Sequence, residues 1–178
     1  MWHEPYEVET KIKLLDSEVK EMRERIKKIG IFEKEGTKAD DYFAIKSSDY
    51  PKKAFRIRAT KDEFEVNFKK WLTKFWTNDI VVKQEFEFKL KGKEEVEDML
   101  ELFRDLGFIE WVKKIKKNET YKHKKDSNIS IEINNVKHLG YFMEIEYLCQ
   151  PKDMEKARRR IRSTLKELGI RQSQIDNT

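Results

Sequence analysis

Cysteine is almost missing from this chain: Cys149 is the only one in 178 residues. That excludes an intramolecular disulfide and a cysteine-rich zinc site. Histidine is scarce as well, and His3, His123 and His138 are too scattered to propose as zinc ligands. No apolar run is long enough to span a bilayer, and the first residues lack the apolar core of a signal peptide. A soluble, cytoplasmic protein is therefore expected, with no membrane partner. Glycine appears 6 times, in neither a P-loop nor a Rossmann arrangement, so the two commonest nucleotide-binding loops are absent.

Charge is abundant. Asp, Glu, Lys and Arg make up 41% of the residues, and mean hydropathy is -0.88. The apolar 38%, with 11 Phe, 6 Tyr and 4 Trp, nevertheless argues for a folded chain rather than a disordered one. Basic residues exceed acidic ones by 39 to 34, giving +5 and a pI near 9.0. The bias suits an anionic ligand but is too mild to decide one. The length fits one domain, read as residues 1–170, with 171–178 as a loose tail.

The chain is organised around Tyr6–Lys13. In a strand, successive side chains alternate between faces, so Glu7, Glu9, Lys11 and Lys13 share one face, with Val8, Ile12 and Leu14 on the other. Like charges so close repel, and the row is explained if a divalent cation sits among the carboxylates and a polyanion among the lysines. The pattern recurs at Glu85-Phe-Glu87-Phe-Lys89 and at Glu144-Ile-Glu146-Tyr. Each copy leads into a helical pattern closing on a similar phrase: Ile29-Gly30-Ile31, Leu106-Gly107-Phe108 and Leu168-Gly169-Ile170.

Three helices are predicted. The first opens at Asp16-Ser17-Glu18 and carries Val19, Met22, Ile26 and Ile29; the second runs from about Lys93 to Leu106; the third follows Pro151. Strands are predicted at Asp40–Ile45, Ala54–Ala59, Glu63–Lys69, Phe108–Lys124, Ile129–Asn134 and Tyr141–Leu148, with a turn over Ser47–Lys53. Trp71–Asn78 reads as a loop whose aromatics Trp71, Phe75 and Trp76 form a lid or a partner patch, or pack on the sheet, with packing favoured. Arg158–Arg160 and Arg162 flank the apolar stripe of the last helix. Such charge runs are usually solvated faces, so nucleic acid is not the expected partner. Eight or nine mostly alternating strands and three helices, without βαβ regularity, define an α+β class. The helices must cover the apolar sheet face. If the sheet closes, its interior is a polar channel with room for a small ligand.

The charged face collects Glu7, Glu9, Glu85, Glu87, Glu132, Glu144 and Glu146 with Lys11, Lys13, Arg56, Arg58, Lys69 and Lys89. Clustered carboxylates without Cys or grouped His describe a hard-cation site for Mg2+ or Mn2+. Arg offers phosphate a forked pair of donors and Lys a point charge. Together they suit phosphoryl or nucleotidyl transfer, in which catalysis is mainly positioning and charge neutralisation. Cys149 reads as a buried small hydrophobe.

These residues resemble the CYTH family of triphosphate tunnel metalloenzymes, which includes class IV adenylate cyclases, thiamine triphosphatases and inorganic tripolyphosphatases. The resemblance rests on Glu7-x-Glu9-x-Lys11, Asp41-x-Phe43 beside Tyr42, Phe55-Arg56-Ile57-Arg58, Lys69, Glu85-x-Glu87, Lys116, Glu132 and Leu139-Gly140-x-Phe142-x-Glu144-Ile145-Glu146. It implies a closed antiparallel tunnel of eight strands with helices outside, holding a small-molecule triphosphate. By position it makes Glu7, Glu9, Glu144 and Glu146 metal ligands, with Glu132 as a further candidate. Lys11, Arg56, Arg58, Lys69 and Lys116 become phosphate contacts. Glu85 and Glu87 tie those bases in place or orient the nucleophile, so that Lys11, Glu85 and Glu87 form the catalytic set. Three positions depart from the family's habit: Asn118 stands where an Arg is usual, Tyr141 where an acid is common, and Lys83 or Gln84 where an Arg often precedes Glu85. Hydrolysis of tripolyphosphate, thiamine triphosphate or a nucleoside triphosphate is the leading expectation. An adenylate cyclase comes second, and a non-catalytic polyphosphate- or nucleotide-binding module third. A homodimer stays open.

Overall fold

The strand–helix alternation written in the sequence gives eight strands and three α-helices in a computed structural model that describes residues 4–47, 51 and 53–177. In chain order these are β1 (Tyr6–Leu14), α1 (Val19–Ile29), β2 (Gly30–Ile45), β3 (Ala54–Ala59), β4 (Phe64–Trp71) and β5 (Val81–Leu90). There follow α2 (Lys93–Asp105), β6 (Phe108–His123), β7 (Ile129–Val136), β8 (Gly140–Cys149) and α3 (Met154–Glu167). The strands close into one barrel in the order β1-β5-β4-β3-β2-β6-β7-β8. Of the turn expected over Ser47–Lys53, positions 48–50 and 52 lie outside the described residues. β2 starts at Gly30, well before the predicted Asp40, because residues 31–37 are exposed on both faces and leave no alternation to read.

The chain divides into two compact units: residues 1–37, 71–84 and 116–178, and residues 38–70 and 85–115. In the first unit, β1, β8 and β7 send Val8, Ile12, Ile129, Ile131, Ile133, Met143 and Ile145 to one face, all 0–1% exposed. A face this apolar must be covered. α1 does so with Val19, Met22 and Ile26, and α3 with Ala157, Ile161 and Leu165. Gly30 cannot take a side chain without crowding: a Cβ there would lie 3.2 Å from the Ile26 carbonyl oxygen. Gly169 is needed for another reason, adopting φ +68° to end α3 while Ile170 N–H donates to the Leu165 carbonyl (3.0 Å).

The aromatics after β4 pack inward. Leu72, Phe75 and Trp76 lie against the core of this unit, and Trp76 Nε1 donates to the Val82 carbonyl at 2.9 Å. The segment read as a loose tail is tied to β1. Ile175 bridges Ile12, Asn177 Oδ1 accepts from Lys11 N–H (2.8 Å), and Asp176 N–H donates to the Lys11 carbonyl (2.8 Å). Cys149 is buried, which raises its thiol pKa to about 11 and keeps it protonated.

In the second unit α2 lays Val96, Leu100, Met99 and Phe103 over Phe43, Phe55, Ile57 and Val66. The Phe43 and Phe55 rings stack at 5.2 Å, and Phe103 and Phe108 close on Phe55 at 4.6 and 5.3 Å. No described helix is long and apolar enough to cross a membrane.

One ion pair makes the first unit acid-sensitive. Arg162 on α3 donates twice to Asp79 (2.8 and 3.0 Å) and lowers that carboxyl to about 2. The folded pKa lies below the ordinary value of 3.8, so the contribution is complete above that value and is lost as pH falls toward 2. Asp79→Asn should flatten the fall in melting temperature between pH 4 and pH 2 without changing its slope above pH 5, as read by circular dichroism melts across that range.

Candidate functional site

Strand register assembles the polar face of the first unit. β1, β8, β7 and β6 pair antiparallel, placing Glu9 opposite Glu146, Glu146 opposite Ser130, and Ser130 opposite Lys122. The next row reads Lys11, Glu144, Glu132, Thr120, and the one beyond it Lys13, Phe142, Asn134, Asn118. Side chains opposite one another on an antiparallel ladder sit about 5 Å apart. The Glu-x-Glu spacing of β1 and β8 therefore stacks carboxylates across the sheet.

Glu7, Glu9 and Glu146 converge, each contributing an oxygen within 4.8 Å of the others. Glu7 and Glu9 are 1% and 4% exposed. Three carboxylate oxygens this close could hold a metal ion, and an all-oxygen set suits a hard divalent cation. Lys83 of β5 forms an ion pair with Glu9 and brings positive charge to the cluster. Lys11 approaches Glu144 at 3.9 Å.

Asn118 has a defined task here. Its amide donates to Glu132 Oε2 (2.9 Å) and to Asn134 Oδ1 (2.8 Å), and its own oxygen accepts from Thr120 (3.0 Å). Glu132 is thus positioned by neutral donors rather than by a guanidinium. Lys116 shares the Asn118 face, opposite Val136 at the end of the ladder, and is partly exposed. Tyr141 and Glu119 lie on the other face, around a cavity of about 340 Å³ in which Arg23 donates to both Glu119 oxygens (3.1 and 2.9 Å).

The second unit holds the arginines. Tyr42 is opposite Arg56 and Asp41 opposite Ile57, so Asp40 rather than Asp41 shares the arginine face. Asp40 is 2% exposed and accepts both arms of Arg58 (2.6 and 2.9 Å), with Arg56 at 3.7 Å. Burial opposes the charge on Arg58, but Asp40, with Glu65, outweighs it and raises the guanidinium pKa. Glu85 stands 3.9 Å from Arg56 and accepts from Asn67 at 2.5 Å; Glu87 accepts from the same amide at 3.5 Å. Arg56 Nε is buried with no acceptor among the described residues. Lys69 lies near enough to Tyr42 to act on its hydroxyl, whose pKa burial and the Asp40 charge raise while Arg56 and Lys69 pull it back. Lys89 points elsewhere, to Glu63 at 2.6 Å, and Lys13 sits 5.9 Å over the Phe142 ring.

Sequence reasoning missed Asp40, Asn67, Thr120 and Asn134, and treated Lys83 and Asn118 only as departures. A period-2 count back from Arg58 through the hairpin register would have found Asp40, and adjacency to Asp41 hid it.

A closed eight-stranded barrel with Glu-x-Glu strands and inward-paired arginines is the architecture of a recognised domain class. The CYTH domain matches residues 5–177, and the chain belongs to the CYTH family. Among solved structures, a Pyrococcus horikoshii protein shares 22% identity at a TM-score of 0.75, covering 97% of this chain and 95% of that one. A conserved hypothetical protein from Pyrococcus furiosus shares 25% identity at 0.73, covering 96% and 94%. A Hippeastrum protein, named as an adenylyl cyclase and described as having a dominant triphosphatase activity, shares 15% at 0.63, covering 93% and 88%. No curated protein matches the chain.

The Asp40–Arg58 pair is the structural test of the second unit. Asp40→Ala should cost about 3 kcal/mol, since removing one partner strands a buried charge. Urea unfolding of the variant checks this.

Proposed function

We propose that this chain is a Mg2+- or Mn2+-dependent hydrolase of a triphosphate-bearing small molecule. The observation that carries the reading is the convergence of the Glu7, Glu9 and Glu146 oxygens. Glu144 and Glu132 extend this carboxylate set. A divalent ion held there would neutralise phosphate oxygens and acidify the attacking water. Arg56 and Arg58 bind phosphate oxygens, an assignment supported by the buried Arg56 Nε, which has no acceptor among the described residues. Lys11, Lys69 and Lys116 add point charges.

Asp40 fixes Arg58, and Asn67 fixes Glu85 and Glu87, so the groups that meet the substrate are held before it arrives. Water attacks the terminal phosphorus, the bond to the bridging oxygen breaks, and orthophosphate leaves with one proton passed to solvent. The triphosphatase activity described for the Hippeastrum protein supports hydrolysis ahead of cyclisation.

Orthophosphate and pyrophosphate release from tripolyphosphate, thiamine triphosphate and ATP, with and without Mg2+ or Mn2+, tests the reading. Metal-dependent orthophosphate release should fall by about 100-fold or more in Glu9→Gln, since changing even a ligand's hydrogen-bond partner costs about 10–100-fold. Pyrophosphate with cyclic AMP would instead make the chain a cyclase. Binding of triphosphate without turnover would leave a non-catalytic module.

A further inference from the structure

The second unit also carries an aromatic corner. The rings of Tyr42 and Trp111 meet edge to face, with centroids 6.1 Å apart and planes at 84°. They line a small cavity of about 130 Å³ with Asp41, Glu110, Val112 and Lys113. Trp111 is 38% exposed, so part of its indole is open to a ligand. Lys114 stands over the Tyr42 ring at 5.4 Å.

Tyr42 connects this corner to the arginines. Its ring lines the cavity, while its hydroxyl meets Arg56, its cross-strand partner, and feels Lys69 and Asp40. A group seated on the Tyr42 and Trp111 rings therefore lies next to the guanidinium assigned to phosphate. Two perpendicular rings offer one face for stacking and one for an edge contact, the arrangement aromatic groups prefer. The Asp41 and Glu110 carboxylates lining it accept hydrogen bonds and favour N–H or O–H donors, and Lys113 stands 3.8 Å from Asp41. Bare tripolyphosphate, anionic and without a ring or a carbon-bound donor, has nothing to gain from such a place.

We propose that Tyr42 and Trp111 hold a flat, amino-bearing heteroaromatic group attached to the triphosphate, so that the substrate is an organic triphosphate rather than inorganic tripolyphosphate. This rests on the triphosphate reading above. A nucleobase and the aminopyrimidine of thiamine share that chemistry.

The test compares Trp111→Ala and Trp111→Phe with the wild type on ATP, thiamine triphosphate and tripolyphosphate with Mg2+, reading KM by phosphate release and Kd by calorimetry. Trp111→Ala should weaken ATP or thiamine triphosphate roughly tenfold, in line with the loss of one stacking platform. Tripolyphosphate should change by less than about twofold, and Trp111→Phe should restore most of the loss because a π face remains. Whichever organic triphosphate responds identifies the source of the ring. Equal weakening of all three, or no weakening of either organic one while tripolyphosphate is handled normally, overturns this inference alone. If the wild type binds none of the three, the triphosphate reading fails and takes this one with it.

Discussion

Carboxylates cannot be buried together without a compensating charge, and much of this molecule is arranged around that constraint. Glu7, Glu9 and Asp40 are 1%, 4% and 2% exposed, positions that would cost several kcal/mol per ion if left unpaired. The chain meets the cost locally. Lys83 pairs with Glu9 and Arg58 grips Asp40 with both arms. Strand pairing supplies the geometry, since a slip of one residue on β8 would send Glu144 and Glu146 to the apolar face and Ile145 to the polar one. The apolar cover from α1 and α3 thus fixes which face the carboxylates take.

Neutral donors hold the remaining acids. Asn118, Asn134 and Thr120 surround Glu132, and Asn67 spans Glu85 and Glu87. An amide orients a carboxylate without cancelling its charge, which leaves the charge available to a cation. An Arg at position 118 would instead bring a competing positive charge into the same row. The Asn118 departure therefore alters how Glu132 is presented without removing it from the polar face.

Much of this was legible in the sequence, for a physical reason. Period-2 alternation in β1, β3 and β8 declares which residues share a face, and the apolar stripes of α1, α2 and α3 declare what must be covered. Glu7, Glu9, Arg56, Arg58, Glu144 and Glu146 could be read from that alone. Where alternation fails, so did the reading: residues 31–37 carry β2 with both faces exposed, and the end of the chain is tied down by backbone bonds at Lys11 that no composition announces. Asp40 escaped because a charged neighbour, Asp41, competed for the same role. Trp111 sits in a strand stretch where Ile109, Val112 and Ile115 are all exposed, so burial offered no clue to its use.

The central claim is that Glu7, Glu9 and Glu146 form a divalent-cation site. Calorimetric titration of Mn2+ into the wild type and into Glu146→Gln addresses it without any substrate or turnover. The account predicts saturable binding to the wild type that is lost or weakened by at least about tenfold in the variant, since changing even a ligand's hydrogen-bond partner costs about 10–100-fold. Equal Mn2+ binding by the two proteins would contradict it and place the metal elsewhere on the chain.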